Sequence, residues 1–347
     1  MKKYLSIVLT VLFVAITASL VLFDTNVLTE DPNRTDPPKA TDRTDGITDA
    51  PLVGESVTQN NYGLPEGNYS KGLLYALDDN GSQYYIAGIG SCKDTDIIVS
   101  PTYRGKPIVG IRDRAFEYND TIESFSVIRD TEGKNSLFYI GIRAFYSCQK
   151  LKRVTISAQT LSLPSEVFAN CPNLKEIDIS KTKIYSIGTG AFKMCTSLRS
   201  ISLSPVSWTI LDEVFSGCAA LESITLPSYM TNLGESVFRG CTSLKSVVLP
   251  DNLKKIPKMM FFGCLSLTEI TLPNTITAIS DSAFHTCTSL KSLNIPKNVS
   301  DIELNAFTGC TSLADISVSK ENGHFYVDDG KLISKSDGKV IFAQTSN

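Results

Sequence analysis

Phe284-His285-Thr286-Cys287-Thr288-Ser289-Leu290, then Ser292-Leu293-Asn294-Ile295-Pro296, Val299, Ile302 and Ala306-Phe307, form one unit of a repeat. Cysteines at 148, 171, 195, 218, 241, 264, 287 and 310 are separated by 23, 24, 23, 23, 23, 23 and 23 residues. A near-constant period in the twenties marks a solenoid, in which one supersecondary unit is stacked on copies of itself. The phenylalanines at 116, 145, 168, 192, 215, 238, 261, 284 and 307 mark nine copies. In the first copy Asn119 replaces the cysteine, and an insertion around Arg129–Asn135 separates it from the second. The single 24-residue step comes from one extra residue between Ile179 and Ile187.

Each position has a physical reason. Leu293 and Ile295 alternate with polar residues, so a short strand places both on one face. Pro296 follows the strand end, where no ladder donor is lost, and begins a corner. Val299 and Ile302 bring a second extended side inward, and Ala306-Phe307 opens a compact turn or one-turn helix closed by Cys310 and Leu313. One unit cannot bury its own apolar column, whereas stacked units can, about 4.7–4.9 Å apart, in an array about 40 Å long. The expected fold is a β-rich solenoid of about nine 23-residue coils. Short helical or 3-10 turns are expected on its convex side, with small β caps at both ends. A core spread along the axis leaves little to form a catalytic cleft.

The pattern Ala-Phe-x-x-Cys-x-x-Leu-x-x-Ile-x-Leu-Pro-x-x-Val-x-x-Ile resembles the BspA-like (Treponema pallidum-type) leucine-rich repeat. Together with the lead-in Gly72-Leu73-Leu74-Tyr75 and Gly88-Ile89-Gly90-Ser91-Cys92, the resemblance covers about residues 70–347. It implies a right-handed leucine-rich-repeat solenoid in a secreted or cell-surface protein of bacteria or certain protists, often associated with adhesion to host or matrix proteins, without enzymatic activity. The chain departs from many relatives in showing no wall-anchoring module after the array, which leaves attachment to the N-terminal segment.

The flanking segments have separate characters. Tyr4 to Phe23 carries no charge and follows Lys2 and Lys3. It is long enough for a membrane helix, with the lysines on the cytoplasmic side. An uncleaved anchor and a cleaved signal with Ala18 and Ser19 near the scission both remain open. Residues 24–61 hold eight acids and three bases and are rich in Thr, Asp and Pro, which reads as an extended stalk. The formal charge divides as +2 for residues 1–23, −5 for 24–61 and 0 for the rest, giving −3. The folded part therefore has no basic excess, and no nucleic-acid partner is expected. The expected boundaries are 1–23 for the export segment, 24–68 for the stalk and 69–112 for an N-terminal β cap. The nine repeats take 113–318 and a C-terminal β-hairpin cap 319–347. Asp79-Asn80-Gly81 at the front, and Asp329-Gly330 and Asp337-Gly338 at the back, are hairpin signals within the caps.

Candidate chemistry is sparse. The cysteines lack the close pairs that a zinc site needs, and equivalent side chains on adjacent coils point in parallel, which disfavours bridges. A reduced, buried ladder is expected, with Cys92 outside it in the cap. His285 falls at a variable position and is expected on the exposed convex side, and His324 falls in the cap. No nucleophile elbow or phosphate loop occurs, so neither an enzyme nor a cofactor is expected.

The strand surface is the better place for function. The position after the repeat leucine reads Lys152, Lys175, Arg199, Glu222, Lys245, Thr268, Lys291 and Ala314. A basic column of this kind reads either as a solvated face of mixed charges or as an anionic partner surface, partly neutralised by Glu176, Glu269 and Asp315 in the next column. A third column, Thr155, Asp178, Ser202, Thr225, Val248, Thr271, Asn294 and Ser317, is mostly small and polar. Trp208, in the corner after Leu203, is a candidate anchor or a local packing residue. The ligand-face candidates are Lys152, Lys175, Arg199, Lys245, Lys291 and Trp208. The expected partners are host or matrix proteins or a neighbouring surface protein, with polysaccharide as the alternative and the membrane reached through the N-terminal segment. A passive spacer is the third reading.

Overall fold

In the computed structural model the described residues are 69–128, 138–179, 182–203 and 209–344, all within one compact unit. The expected export segment 1–23 and stalk 24–68 lie outside them. The array is a β-solenoid of about nine coils, numbered here 1 to 9 by their phenylalanines, Phe116 to Phe307. Three lines of backbone hydrogen bonds run along the array, and the convex one joins every coil to the next.

The first line is a parallel sheet. Strands Asp96–Ile98, Ser124–Ile128, Arg153–Ser157 and Glu176–Asp178 pair in the register Asp96↔Ser124↔Arg153↔Glu176. Further along, Ser223↔Ser246 and Ser292↔Asp315 keep the same repeat position. Coils 4 and 7 lack a formal strand here, yet Glu222 N–H still donates to the Arg199 carbonyl and Lys291 N–H to that of Thr268, both at 3.2 Å. The second line consists of two-residue strands with the register Leu163↔Ile187↔Ile210↔Leu233 and Ile256↔Ile279↔Ile302. These are the inward positions that the repeat spacing requires.

The third line is the convex turn, and it differs from expectation. No helical or 3-10 turn forms there among the described residues. In coils 1 to 8 two residues take positive φ, two before and two after the phenylalanine, as in Glu213 at 56° with Gly217 at 75° and Ser236 at 57° with Gly240 at 71°, and in coil 9 Gly309 alone does so. A left-handed residue every fourth position interrupts the right-handed run that a helix needs. Alternate amides thereby turn outward. Glu213, Phe215 and Gly217 donate to Glu235, Val237 and Arg239 of the next coil at 2.7–2.9 Å. Ser216 and Cys218 donate backward within their own turn at 3.0 Å. Glycine fills the later of the two positions at 217, 240, 263 and 309, since it adopts positive φ without steric cost.

Inside this frame the phenylalanines stack, with ring centroids 5.2–5.7 Å apart and interplanar angles of 4–18°. Beside them each ladder cysteine, from Cys148 to Cys310, donates its S–H to the phenylalanine carbonyl of the preceding coil at 3.0–3.2 Å. The first coil has no phenylalanine before it, and its Asn119 instead accepts the amides of Thr121 and Ile122 within its own turn. All nine cysteines are buried free thiols, Cys92 among them. Burial pushes the thiols of Cys195, Cys218, Cys241 and Cys264 well above the ordinary range and that of Cys310 up to about 12.

Polar devices close both ends. Ser70 covers the edge strand Asp96–Ile98: its amide donates to the Ile98 carbonyl, and its hydroxyl receives the Ile98 amide and faces the Asp96 carbonyl. Strands Leu74–Leu77 and Tyr84–Gly88 form the front hairpin. Behind coil 9, Phe325–Asp328, Lys331–Ser334 and Val340–Ala343 form an antiparallel meander. Phe342 meets Phe307 edge-on at 6.0 Å. Buried Asn322 donates to the carbonyls of Pro296 and Val299 and accepts the amides of His324 and Phe325, all within 2.8–2.9 Å.

Two outcomes follow from this packing. Phe238→Ala should cost about 3–5 kcal/mol by opening a cavity in the stack, and Phe238→Asp more through a buried charge. Arg239→Asp, on the exposed neighbour, should stay within about 1 kcal/mol. Chemical denaturation checks both, and equal midpoints for the two aspartate variants would contradict the assignment of core and surface columns. Asn322→Leu should lower stability by roughly 2–4 kcal/mol, since it strands four backbone groups. Hydrogen exchange should show the loss concentrated in coils 8 and 9.

Candidate ligand-binding face

The parallel sheet turns its odd rows inward as Val154, Ile177, Ile201, Ile224, Val247, Ile270, Leu293 and Ile316. The rows between them face solvent because successive side chains on a strand point to opposite sides. Small hydroxyl residues dominate those rows, among them Ser200, Ser202, Ser223, Thr225, Ser246 and Thr271. The column of long charged residues after the repeat leucine stands along one margin as a wall beside a low floor.

Lys152, Lys175, Arg199, Lys245 and Lys291 are all exposed in that wall, but they do not act as one basic stripe. Lys152 pairs with Glu123 at 2.7 Å and Lys245 with Glu222 at 2.9 Å, each glutamate lying one coil earlier in the same column. Lys245, by hydrogen bond and charge, with Arg199 adding from the other side, holds the Glu222 carboxyl below the ordinary range. Among the described residues Lys175, Arg199 and Lys291 form no ion pair within 4 Å. Trp208 lies outside the described residues.

A shallow depression of about 220 Å³ crosses coils 2 to 4. Arg153, Thr155, Lys175, Glu176, Asp178, Ser200 and Ser202 surround it above Val154, Ile177 and Ile201. Its lining carries two cations and two carboxylates, so it favours no ion of either sign. Further along, Val248 is 58% exposed and is the one large apolar side chain so exposed on this sheet face among the described residues. Tyr229, 73% exposed, lies in the corner of the preceding coil. That corner joins the Val248 strand through the Leu226 amide, which donates to the Val248 carbonyl at 3.1 Å.

Sequence reasoning missed Glu123, Arg153 and Tyr229. Glu123 was within reach, because it occupies the wall position of the first copy, one repeat before Lys152.

The convex side holds His285, which is half-buried and not exposed as expected. Its ring stacks on Phe262 at 4.6 Å and 5°, with the Arg239 guanidinium 5.5 Å from the other side of Phe262. Side chains one coil apart at a variable position meet when both are flat, and that contact buries the imidazole. His324 is exposed in the cap. No group of three or more His, Cys, Asp or Glu placed to hold a metal occurs among the described residues. No helix among them is long and apolar enough to cross a membrane.

A stack of parallel coils with a polar sheet face defines a leucine-rich-repeat scaffold. The sequence matches the BspA type leucine-rich repeat region in six copies over residues 109–245 and 208–327. That is more than half of the chain, and the chain belongs to this family.

Solved structures with similarity include a leucine-rich repeat protein of T. pallidum. It is 25% identical with a TM-score of 0.44, over 63% of this chain and 88% of that one. Another, from Bacteroides ovatus, is 25% identical with a TM-score of 0.36, over 72% and 88%. A leucine-rich cell surface protein from Faecalibacterium prausnitzii is 19% identical with a TM-score of 0.31, over 74% and 95%. No curated protein is detectably similar in sequence. Family membership rests on the repeat itself.

The wall pairs are exposed, so their effect should be electrostatic and local. Lys245→Ala should raise the Glu222 titration midpoint toward the ordinary carboxylate value, read by heteronuclear NMR, without shifting the melting temperature. A Glu222 midpoint that does not move would show that the pair is absent in solution.

Proposed function

We propose that this protein is a non-catalytic scaffold displayed at or beyond the cell surface, and that it binds a host, matrix or neighbouring surface protein through its sheet face. The observation that carries the reading is the composition of that face. A low hydroxyl-rich floor, one exposed apolar side chain at Val248 and mixed charges at the margin resemble a protein interface, whose centre is poor in charge and whose rim is polar. Tyr229 belongs to a residue type enriched among energetic anchors, and Trp208 is kept as a candidate anchor on its residue type alone. Lys175, Arg199 and Lys291 would act at the rim, steering encounter more than setting affinity.

The polyanion alternative loses support, because two of the five wall cations are neutralised within their own column and carboxylates stand in the depression. Display outside the cell is supported by the charge-free run from Tyr4 to Phe23 after two lysines, and by the family. Whether that run stays as an anchor is a matter for the mass of the mature N-terminus.

Photo-crosslinking residues placed at Ser223 or Ser246 on the sheet face, and at Arg239 or Thr308 on the convex face, test the proposal on intact cells exposed to matrix extract. Discrete adducts should form from the sheet face alone and should weaken in Val248→Asp and Tyr229→Ala backgrounds. Adducts of equal strength from both faces, or from the convex face alone, would sink the reading. Adducts abolished by raised salt and absent with uncharged partners would move it to a polyanion ligand.

A further inference from the structure

The eight ladder thiols belong to no binding face. We propose that they make folding redox-gated: only the reduced chain closes into the array, and the closed array is inert to oxidants. The inference does not depend on the functional reading above.

Geometry separates the two states. In the folded array each S–H is committed to a phenylalanine carbonyl at 3.0–3.2 Å. The ladder side chains are 0–3% exposed, so an oxidant has no approach. Each sulfur is aimed at a carbonyl of the coil before it, beside phenylalanine rings stacked at 5.2–5.7 Å. Bridging two neighbours would swing both sulfurs off those acceptors and leave two buried carbonyls without their S–H donors. Burial also disfavours the thiolate, the species that attacks a disulfide.

The open chain has none of these protections. Its thiols recur every 23 or 24 residues, and loops of that length close at modest entropic cost. Two protein thiols and one oxidised glutathione exchange to one protein disulfide and two glutathione thiols. Two electrons pass to the oxidant, and the protons of the protein thiols end on the departing glutathione sulfurs. The resulting link takes both sulfurs away from the carbonyls they must meet for the two coils to close. A chain that meets an oxidising space before it coils is therefore trapped, and a chain that coils first is protected.

The test uses the full chain with oxidised glutathione as the probe. Folded protein should keep its eight ladder thiols reduced, by mass mapping after rapid alkylation. Reduced chain unfolded in guanidinium and then oxidised should carry bridges mostly between cysteines 23 or 24 residues apart. On dilution its refolding yield should fall by roughly tenfold or more, as the loss of two hydrogen bonds per bridge requires, and dithiothreitol should restore it. An oxidised chain that regains the reduced chain's melt with its bridges intact would overturn the proposal. So would ladder thiols that oxidise as fast in the folded protein as in the unfolded one. Cys92→Ala, which keeps the whole ladder, is run in parallel. If it refolds after oxidation while the parent does not, the trap lies in Cys92 and the proposal falls.

Discussion

The carbonyl of each repeat phenylalanine is the point on which the array depends. Phe215, for example, receives the Cys218 amide of its own turn at 3.0 Å and the Cys241 thiol of the next coil at 3.1 Å. A carbonyl oxygen has two lone pairs, and a buried one is costly to leave half-used. The thiol fills the second place and in doing so seats the next coil. The ring attached to the same residue then stacks on its counterpart. Backbone polarity and side-chain packing thus call for one coil separation, and the sheet ladders on the other two sides propagate it.

That constraint also explains where binding capacity can reside. The apolar residues are spent on a continuous column, and alternate amides of the convex turn are spent on the next coil. The outward rows of the parallel sheet are a continuous surface whose side chains the fold leaves free to vary. There the chain places small hydroxyl residues, a few paired charges and Val248, with Tyr229 at the corner. A surface of this kind is wide and shallow, which suits a macromolecular partner better than a small substrate. The margin charges answer one another between coils because residues at one repeat position lie a strand spacing apart, so Glu222 meets Lys245 although 23 residues separate them in sequence.

Most of this architecture can be read from spacing. The cysteine and phenylalanine columns, the inward Ile and Leu rows and the closing hairpins all follow from period and alternation, since a repeat that must bury its core against itself has few solutions. The convex turn was less legible. Positive φ at Glu213, Ser236 or Ser282 has no compositional mark, because the strain is borne for a hydrogen bond to a neighbouring coil that local sequence does not reveal. His285 was misread for a related reason: its burial comes from Phe262, one coil away at a position that tolerates many residues.

By itself the sequence determined the coil, its copy number, the identity of the core columns and the face left to solvent. These depend on residue type repeated at fixed intervals, and interval is visible in one dimension. The tertiary structure decided which wall cations are cancelled, that a charge-balanced depression spans coils 2 to 4, and that the turns alternate in hand instead of forming helix. Each of these is a contact between side chains or amides of different coils, and its distance is set only once the coils are stacked.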